Sequence, residues 1–451
     1  MKGADLRSCL QLFSAVVRRR PACQPADQGM TDSRTTPAVG LSGRQIAAVV
    51  AGNGLEFYDF LTYSFFAAQI GEALFPGGGD TRLLLSLATF GVGFVTRPLG
   101  GVVIGRLADR RGRRPAMILS FALMGIAIVG LALTPSYAEI GMAAPVLAVL
   151  FRMLQGFALG GEVGPNTAFL VEAAPPGRRG LYVSLQYATQ DGAVLVSGTV
   201  GLILSSLLDE AALTQWGWRL AFLIGAAIVP FGLAIRRTLA ETLVEEADRI
   251  ETAAGGRSVP LIALAGLLLL MGGTIGNYTL DYMTTFAQKS LHMQVNIAFG
   301  ATVVLGLTSV IFDLVSGWLA DRYGRKRVVL VPWLLLFLLA IPSFQVIVHF
   351  RSAAALFSMT ALLSILLALA MCPALTLFTE SLPARVRAGA MGTIYALAIA
   401  IFGGSAQFVE QLLIGWTGNP MAPAFYMTVA LGVGAIGLMI LKETSAAQKV
   451  R

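Results

Sequence analysis

Nine ionisable side chains interrupt the long apolar runs of this 451-residue chain: Glu56, Asp59, Arg97, Arg152, Glu162, Asp191, Asp281, Asp313 and Glu410. Against hydrocarbon each would cost on the order of several kcal/mol, so they should line a watered cavity or pair with one another. Glu56 and Asp59 share the stretch "NGLEFYDF" (53–60). Three residues apart on a helix, they point about 60° apart around the axis and can face one space. Dry surroundings favour a neutral carboxyl group, and a nearby cation favours a charged one. A carboxyl group set between the two can take up a proton on one side of a barrier and release it on the other. Glu56 and Asp59 are the competing candidates for that role.

Arg97 suits a different task. It lies roughly 13 Å inside its apolar run at 1.5 Å per residue, and its guanidinium fork matches a carboxylate. It is the candidate substrate ligand; the alternative is a buried arginine paired with Glu162 or Asp191 to hold the bundle together. Glu162, Asn166, Gln186, Gln190, Asn277, Tyr278 and Asp281 could complete a substrate site, with Asn53 and Gln407 beside them. Asn277, Tyr278, Asp281 and Tyr282 give one polar helical face. Asp313 and Glu410 fit a structural role equally well.

The elements that must position these groups follow from composition. The chain is 56% hydrophobic and 13% charged, against about 25% charged for a soluble protein. Its mean hydropathy is +0.73. Twelve apolar runs, each long enough to span hydrocarbon, cover 44–70, 82–106, 114–134, 142–171, 180–207, 217–236, 259–286, 295–320, 327–349, 354–379, 388–415 and 421–441. The expected fold is an all-α membrane protein of twelve transmembrane helices. Gly156-Phe-Ala-Leu-Gly160 and Gly101-Val-Val-Ile-Gly105 have the small-residue spacing that lets such helices approach closely.

Lys and Arg set the orientation. Of 33, 27 lie in the tails and in the loops after even-numbered spans, which puts both termini in the cytoplasm. That asymmetry accounts for the net charge of +8 through topology and lipid headgroups, without nucleic acid. Three cysteines and two histidines form no metal or disulfide pattern. Residues 1–41 lack the form of a secretory signal and are expected to be a disordered cytosolic tail; Met30 opens a second plausible start.

A repeat divides the chain. "GRLADRRGRR" (105–114) and "GWLADRYGRK" (317–326) are identical at seven of ten positions and 212 residues apart. "EAAPPGRRG" (172–180) and "ESLPARVRAG" (380–389) repeat in the same register. Internal repeats of this kind build transporters, with the site between halves near the membrane midplane. The expected parts are bundles at 42–237 and 258–443, a cytosolic linker at 238–257 and a short cytosolic tail at 444–451. Gly105 and Gly112 suit a tight turn between spans, and Asp109 suits a helix N-terminus or an arginine across the same face.

The paired loops resemble the signature of the major facilitator superfamily. "GNGLEFYDF", "RPLGG" (97–101) and "RMLQGFALGGE" (152–162) further resemble its metabolite:proton symporter group, although this chain continues the last motif with "VGPN". The resemblance spans roughly residues 44–443. It implies two six-helix bundles and a lock at the cytoplasmic face made by Asp109, Arg113 and Glu172, with Asp321, Arg325 and Glu380 as counterpart. Tyr58-Asp59 is similar to the Tyr-Asp pair of proton-coupled sugar transporters, and Arg152 sits as their span-four arginine does. On that resemblance Asp59 and Arg152 form the proton-coupling pair.

The expected function is proton-coupled uptake of a small organic acid such as citrate or another di- or tricarboxylate, by a monomer in the cell inner (plasma) membrane. Alternatives are a zwitterion such as betaine or proline on the same fold, or a transport-like sensor. An enzyme is not expected: the sequence shows no phosphate-binding loop, nucleophile arrangement or metal cluster, and no cofactor is implied.

Overall fold

In hydrocarbon no water satisfies the peptide groups, and a helix satisfies them within each segment. The protein is all-helical among its described residues. The computed structural model describes Gly54 and residues 57–111, 113–160, 170, 174–175, 177–237, 259–383 and 386–444. The side chains of 108–111, 113–114, 116–117, 228–237 and 388 lie outside that description. So do the expected tail 1–41, the linker 238–257 and residues 445–451.

Each expected span carries one helix. The first six are α1 (57–65, continued after a turn at Phe66 by Ala67–Leu74), α2 (Gly79–Val95, continued by Arg97–Arg111), α3 (Arg113–Leu133), α4 (Ala143–Leu159), α5 (Arg179–Leu207) and α6 (Trp218–Arg237). The second six are α7 (Val259–Ser290), α8 (Val295–Tyr323), α9 (Arg325–Phe350), α10 (Ala353–Ser381), α11 (Gly389–Thr417) and α12 (Ala422–Ile440). Large apolar side chains such as Val95, Leu207, Leu338 and Met439 stand exposed on the outside, where a soluble protein would be polar and a membrane protein meets lipid.

Small residues set the closest contacts, as the glycine spacing predicts. α4 crosses α2 so tightly that a Cβ on Gly156 would overlap the Gly93 carbonyl, and one on Gly160 the Arg97 carbonyl. Thr96 Oγ1 donates to the Met153 carbonyl at 2.7 Å in the same crossing. The two halves touch through α5 on α8 and α2 on α11, where Gly306 lies against Leu195 and Gly91 against Gly404.

Gly105 departs from its expected place in a turn. It lies inside α2, and its repeat partner Gly317 lies inside α8, packed on Ser184 and Gly180. Gly317 thus serves helix contact, whereas a Cβ on Gly105 would meet nothing within 4 Å, so neither the turn nor the close approach expected of Gly105 is found there. The turn falls to the second glycine of the motif, Gly324, whose φ of 101° is a conformation that disfavours other residues. Gly112 is outside the described residues.

α1 and α7 each run four residues beyond their expected ends, to Leu74 and Ser290. Hydropathy falls there because Gln69, Glu72, Gln288 and Lys289 enter, but Gln69 bonds Gln288 and Glu72 pairs with Lys289 across the two helices, and the helices continue. α7 ends in a π-helical turn (Phe286–Ser290) and α11 holds another at Ile399–Gly403.

Candidate functional site

Between the halves, α1, α5, α7, α10 and α11 enclose a cavity of about 50 Å³. Of the residues expected at a substrate site, Gln190, Asn277 and Tyr278 line it. Gln186 is buried one turn along α5. Asp281 is buried and accepts from Asn277 Nδ2 at 3.2 Å. Glu162, Asn166 and Asn53 lie outside the described residues. The sequence reading missed Tyr187, Thr274 and Tyr395, which also line the cavity; Tyr187 and Thr274 lie one turn from Gln190 and Asn277 on the same helices, whereas Tyr395 stands on α11, away from both. The volume holds a few waters and is too small for a dicarboxylate, so the halves must part to admit one.

Two arginines sit just behind this wall. Arg97 places its guanidinium 4.3 Å from the ring centres of both Phe60 and Phe94. Arg152 lies 4.4 Å from Phe60, 4.5 Å from Tyr63 and 5.1 Å from Phe90. Phe60 therefore serves both cations. Arg152 is fully buried and donates to Gln155 Oε1 at 2.7 Å and to the Phe90 carbonyl at 3.4 Å. No carboxylate among the described residues pairs with it.

The acids are distributed differently from the sequence expectation. Asp59 is buried on α1 but faces α6, where a Cβ on Gly225 would overlap its Oδ1. That oxygen meets no donor among the described residues. Asp59 and Arg152 are not brought together: a helix face fixes which residues point the same way, and here the Asp59 face meets α6 while Phe60 and Tyr63 meet Arg152. Glu56 lies outside the described residues. Glu410 is buried on α11 and accepts from Thr279 of α7. Asp191 and Asp313 meet at the α5–α8 seam.

At the end of the bundle that carries residues 317–326, the repeated motif makes a cluster. Asp321 accepts from the backbone N–H groups of Gly180 and Leu181, at 2.8 and 2.9 Å, and so caps the start of α5 across the seam. An anion is favourable at a helix N-terminus, where N–H groups lack partners. Arg325 lies 3.0 Å from Asp321 and 3.3 Å from Glu380, and Arg179 of the first half stands 3.6 Å from Glu380. Glu380 also accepts from Thr444 Oγ1 at 2.5 Å. In the first half, Glu172 is outside the described residues, as are the side chains of Asp109 and Arg113.

The sequence profile of the Major Facilitator Superfamily matches residues 49–406. The chain belongs to that superfamily. It is 34% identical to a citrate-proton symporter of Klebsiella pneumoniae, over 89% of this chain and 92% of the relative. It is 33% identical to an alpha-ketoglutarate permease of Escherichia coli K12, over 90% and 94%. A proline/betaine transporter of the same bacterium is 31% identical over 89% and 84%. Among solved structures, a D-xylose-proton symporter matches the fold with a TM-score of 0.73 at 18% identity, over 89% of this chain and 98% of that one.

As a major facilitator, the chain is a multi-pass membrane transporter and not an enzyme, with two six-helix bundles, α1–α6 and α7–α12, around the central cavity. The far end of this facilitator is also held shut across the halves. Gln69 Oε1 and Nε2 belong to α1, and Nε2 donates to Gln288 Oε1 of α7 at 2.9 Å. Lys289 pairs with Glu72. Deeper, Ser64 and Gln407 are hydrogen-bonded at 2.7–2.9 Å.

Proposed function

We propose that this transporter is a proton-coupled symporter that takes up a small organic acid by alternating access. A dicarboxylate, or citrate with part of its charge neutralised by protons, is the cargo. The observation that carries this is Arg152, a fully buried guanidinium with no carboxylate partner among the described residues, sharing the Phe60 ring with Arg97. A buried cation calls for an anion, and a substrate carboxylate supplies it when the halves part. Arg97 and Arg152 then bind the anion, with Gln190, Asn277 and Tyr278 orienting it. Asp59, with Glu56 beside it in sequence, takes the proton. Two carboxylate-carrying relatives and the two-arginine arrangement support this choice.

Asp321, Arg325 and Glu380 form the lock at one end, with Asp109, Arg113 and Glu172 as its counterpart. The excess of Lys and Arg at that end makes it cytoplasmic, so both termini face the cytoplasm of a cell whose inner membrane holds the protein. Phe57, Tyr187, Tyr278 and Tyr395 at the cavity favour a second reading, a zwitterion whose quaternary ammonium rests on those rings. The proline/betaine relative supports it.

Purified protein in liposomes separates the two. Radiolabelled citrate, 2-oxoglutarate, succinate, betaine and proline are offered under imposed pH and sodium gradients. Accumulation of a carboxylate that collapses with a protonophore and is lost in Asp59→Asn is expected. Uptake of betaine or proline alone selects the zwitterion, and uptake driven only by sodium removes the proton from the scheme.

A further inference from the structure

The α5–α8 seam holds two acids that the proposed transport chemistry leaves unused. Along it the helices run antiparallel, with Gly198 against Thr302, Leu195 against Gly306 and Ser184 against Gly317. That register sets Asp191 opposite the turn of α8 from Ser309 to Asp313, and the Asp191 carboxyl comes within hydrogen-bonding reach of both. Asp313 is 1% exposed, and no N–H or O–H donor of the described residues reaches either of its oxygens. Two carboxylates accept only, so their contact closes as a hydrogen bond when one of them carries a proton. Without that proton the seam would contain two like charges in contact.

Asp191 also lines the central cavity, while Asp313 is sealed between helices. Among the described residues the other titratable groups facing the pair are Tyr187 of α5, Cys372 of α10 and Asp281 of α7. None of these is a cation that would offset a second negative charge. We propose that Asp191 and Asp313 hold one shared proton, taken from the cavity water, and that this proton joins the two halves of the transporter at the α5–α8 seam. Loading it takes the pair from two negative charges to one and lets the helices close. Parting the seam returns the proton to the water on the newly opened side. The inference rests on the proton-coupled reading above and adds a second proton site, one that couples protonation to closure.

The full chain in lipid vesicles tests both parts. In pH-difference infrared spectra a protonated carboxyl shows its own carbonyl stretch, whatever the transport activity. One component of that band should be missing from Asp313→Asn, and the same component from Asp191→Asn. Spectra unchanged from the wild type in both variants, or loss of two different components, would overturn the shared proton. Closure is followed at Cys372, a buried thiol 3.6 Å from the Gly180 carbonyl of the first half, after replacing Cys9 and Cys23 with serine. An asparagine amide donates to Asp191 without needing a proton, so Asp313→Asn should stay closed as pH rises. Alkylation of Cys372 by a neutral maleimide should then rise with pH more steeply in the wild type, by about tenfold per unit for one proton. Equal slopes, or a shallower wild-type slope from the charge of Asp313 acting on the thiol, overturn the coupling to closure. If Asp313→Asn does not fold, Asp191→Asn carries the same two readouts. Should carboxylate accumulation ignore a protonophore while these results hold, the symport reading fails and the shared proton stands.

Discussion

Replacing Asp321 with alanine should release the lock between α5 and α8. Its carboxylate accepts from two backbone N–H groups of the opposite half, at 2.8 and 2.9 Å. The ion pair with Arg325 stays within the second half, so it contributes alike to closed and open forms and cancels. Hydrogen bonds to a charged group contribute about 1.5–3 kcal/mol each. Asp321 is at the water's edge, its side chain 10% exposed, so in the open form water replaces part of that gain. Taking half as the difference leaves about 1.5–3 kcal/mol lost from the closed form alone, a shift of about 10- to 150-fold toward opening. The assay is alkylation of Cys372 in a chain lacking Cys9 and Cys23, since that thiol is covered by the same start of α5. Asp321→Asn, which keeps an acceptor but loses the charge, should give an intermediate rate. An alkylation rate equal to the wild type in Asp321→Ala would refute the reasoning and reduce the cluster to a topological marker.

Gly156→Ala should drive a Cβ into the Gly93 carbonyl and destabilise the α2–α4 crossing by about 1–3 kcal/mol. Gly415→Ala, which meets open space, should leave the melting temperature in detergent unchanged; equal effects would remove close approach as the cause. Arg97→Lys keeps the charge but loses the planar fork stacked on Phe60 and Phe94. KM for the carboxylate should rise about tenfold or more, a loss of one bidentate contact, and an unchanged KM would make Arg97 scaffold. Glu139, outside the spans, accepts from the Ser136 N–H and hydroxyl at 2.7 and 2.9 Å, and these bonds hold its carboxyl below the usual range. Because the folded value is depressed, the contribution of these bonds to the turn at Tyr137–Ile140 is fully present above the ordinary carboxylate value. Protection from hydrogen exchange should fall progressively as pH drops from there through the depressed value. Loosening that begins near neutrality would contradict the capping role.

The spans, the halves and the cluster at residues 317–326 were legible because each rests on a local pattern. Hydropathy over about 20 residues is a property of one helix, and the repeat of "GWLADRYGRK" fixes Asp321 and Gly324 to the same turn. The Gly156/Gly160 spacing named a close contact without naming α2 as the partner. What stayed hidden depends on which face meets which helix. Asp59 and Phe60 are neighbours in sequence, yet one faces Gly225 of α6 and the other carries Arg97 and Arg152. The expected ends of α1 and α7 fall short for a related reason: Gln69, Glu72, Gln288 and Lys289 lower hydropathy but pair across the two helices, Gln69 with Gln288 and Glu72 with Lys289.

The shared ring gives the electrostatics of the site a definite sense. Arg97 and Arg152 lie 4.3 and 4.4 Å from the centre of Phe60, so their guanidinium carbons are at most about 9 Å apart. At an effective dielectric of about 20, two like charges at that distance repel by about 2 kcal/mol. Cation–π contacts contribute about 0.5–2 kcal/mol each, enough to hold the pair in place and not enough to make it indifferent to an anion. A carboxylate approaching to about 4 Å of one guanidinium gains about 4 kcal/mol on the same scale, and it offsets the repulsion from the other. A dianion brings two negative charges to the two arginines. A zwitterion brings a positive charge for its negative one, so it adds no net charge to offset the repulsion between the two arginines unless its cation is held apart on Tyr187, Tyr278 or Tyr395. The charge that the cargo brings to the two arginines, more than any single contact, separates the two classes of cargo, and on that ground the organic acid is favoured.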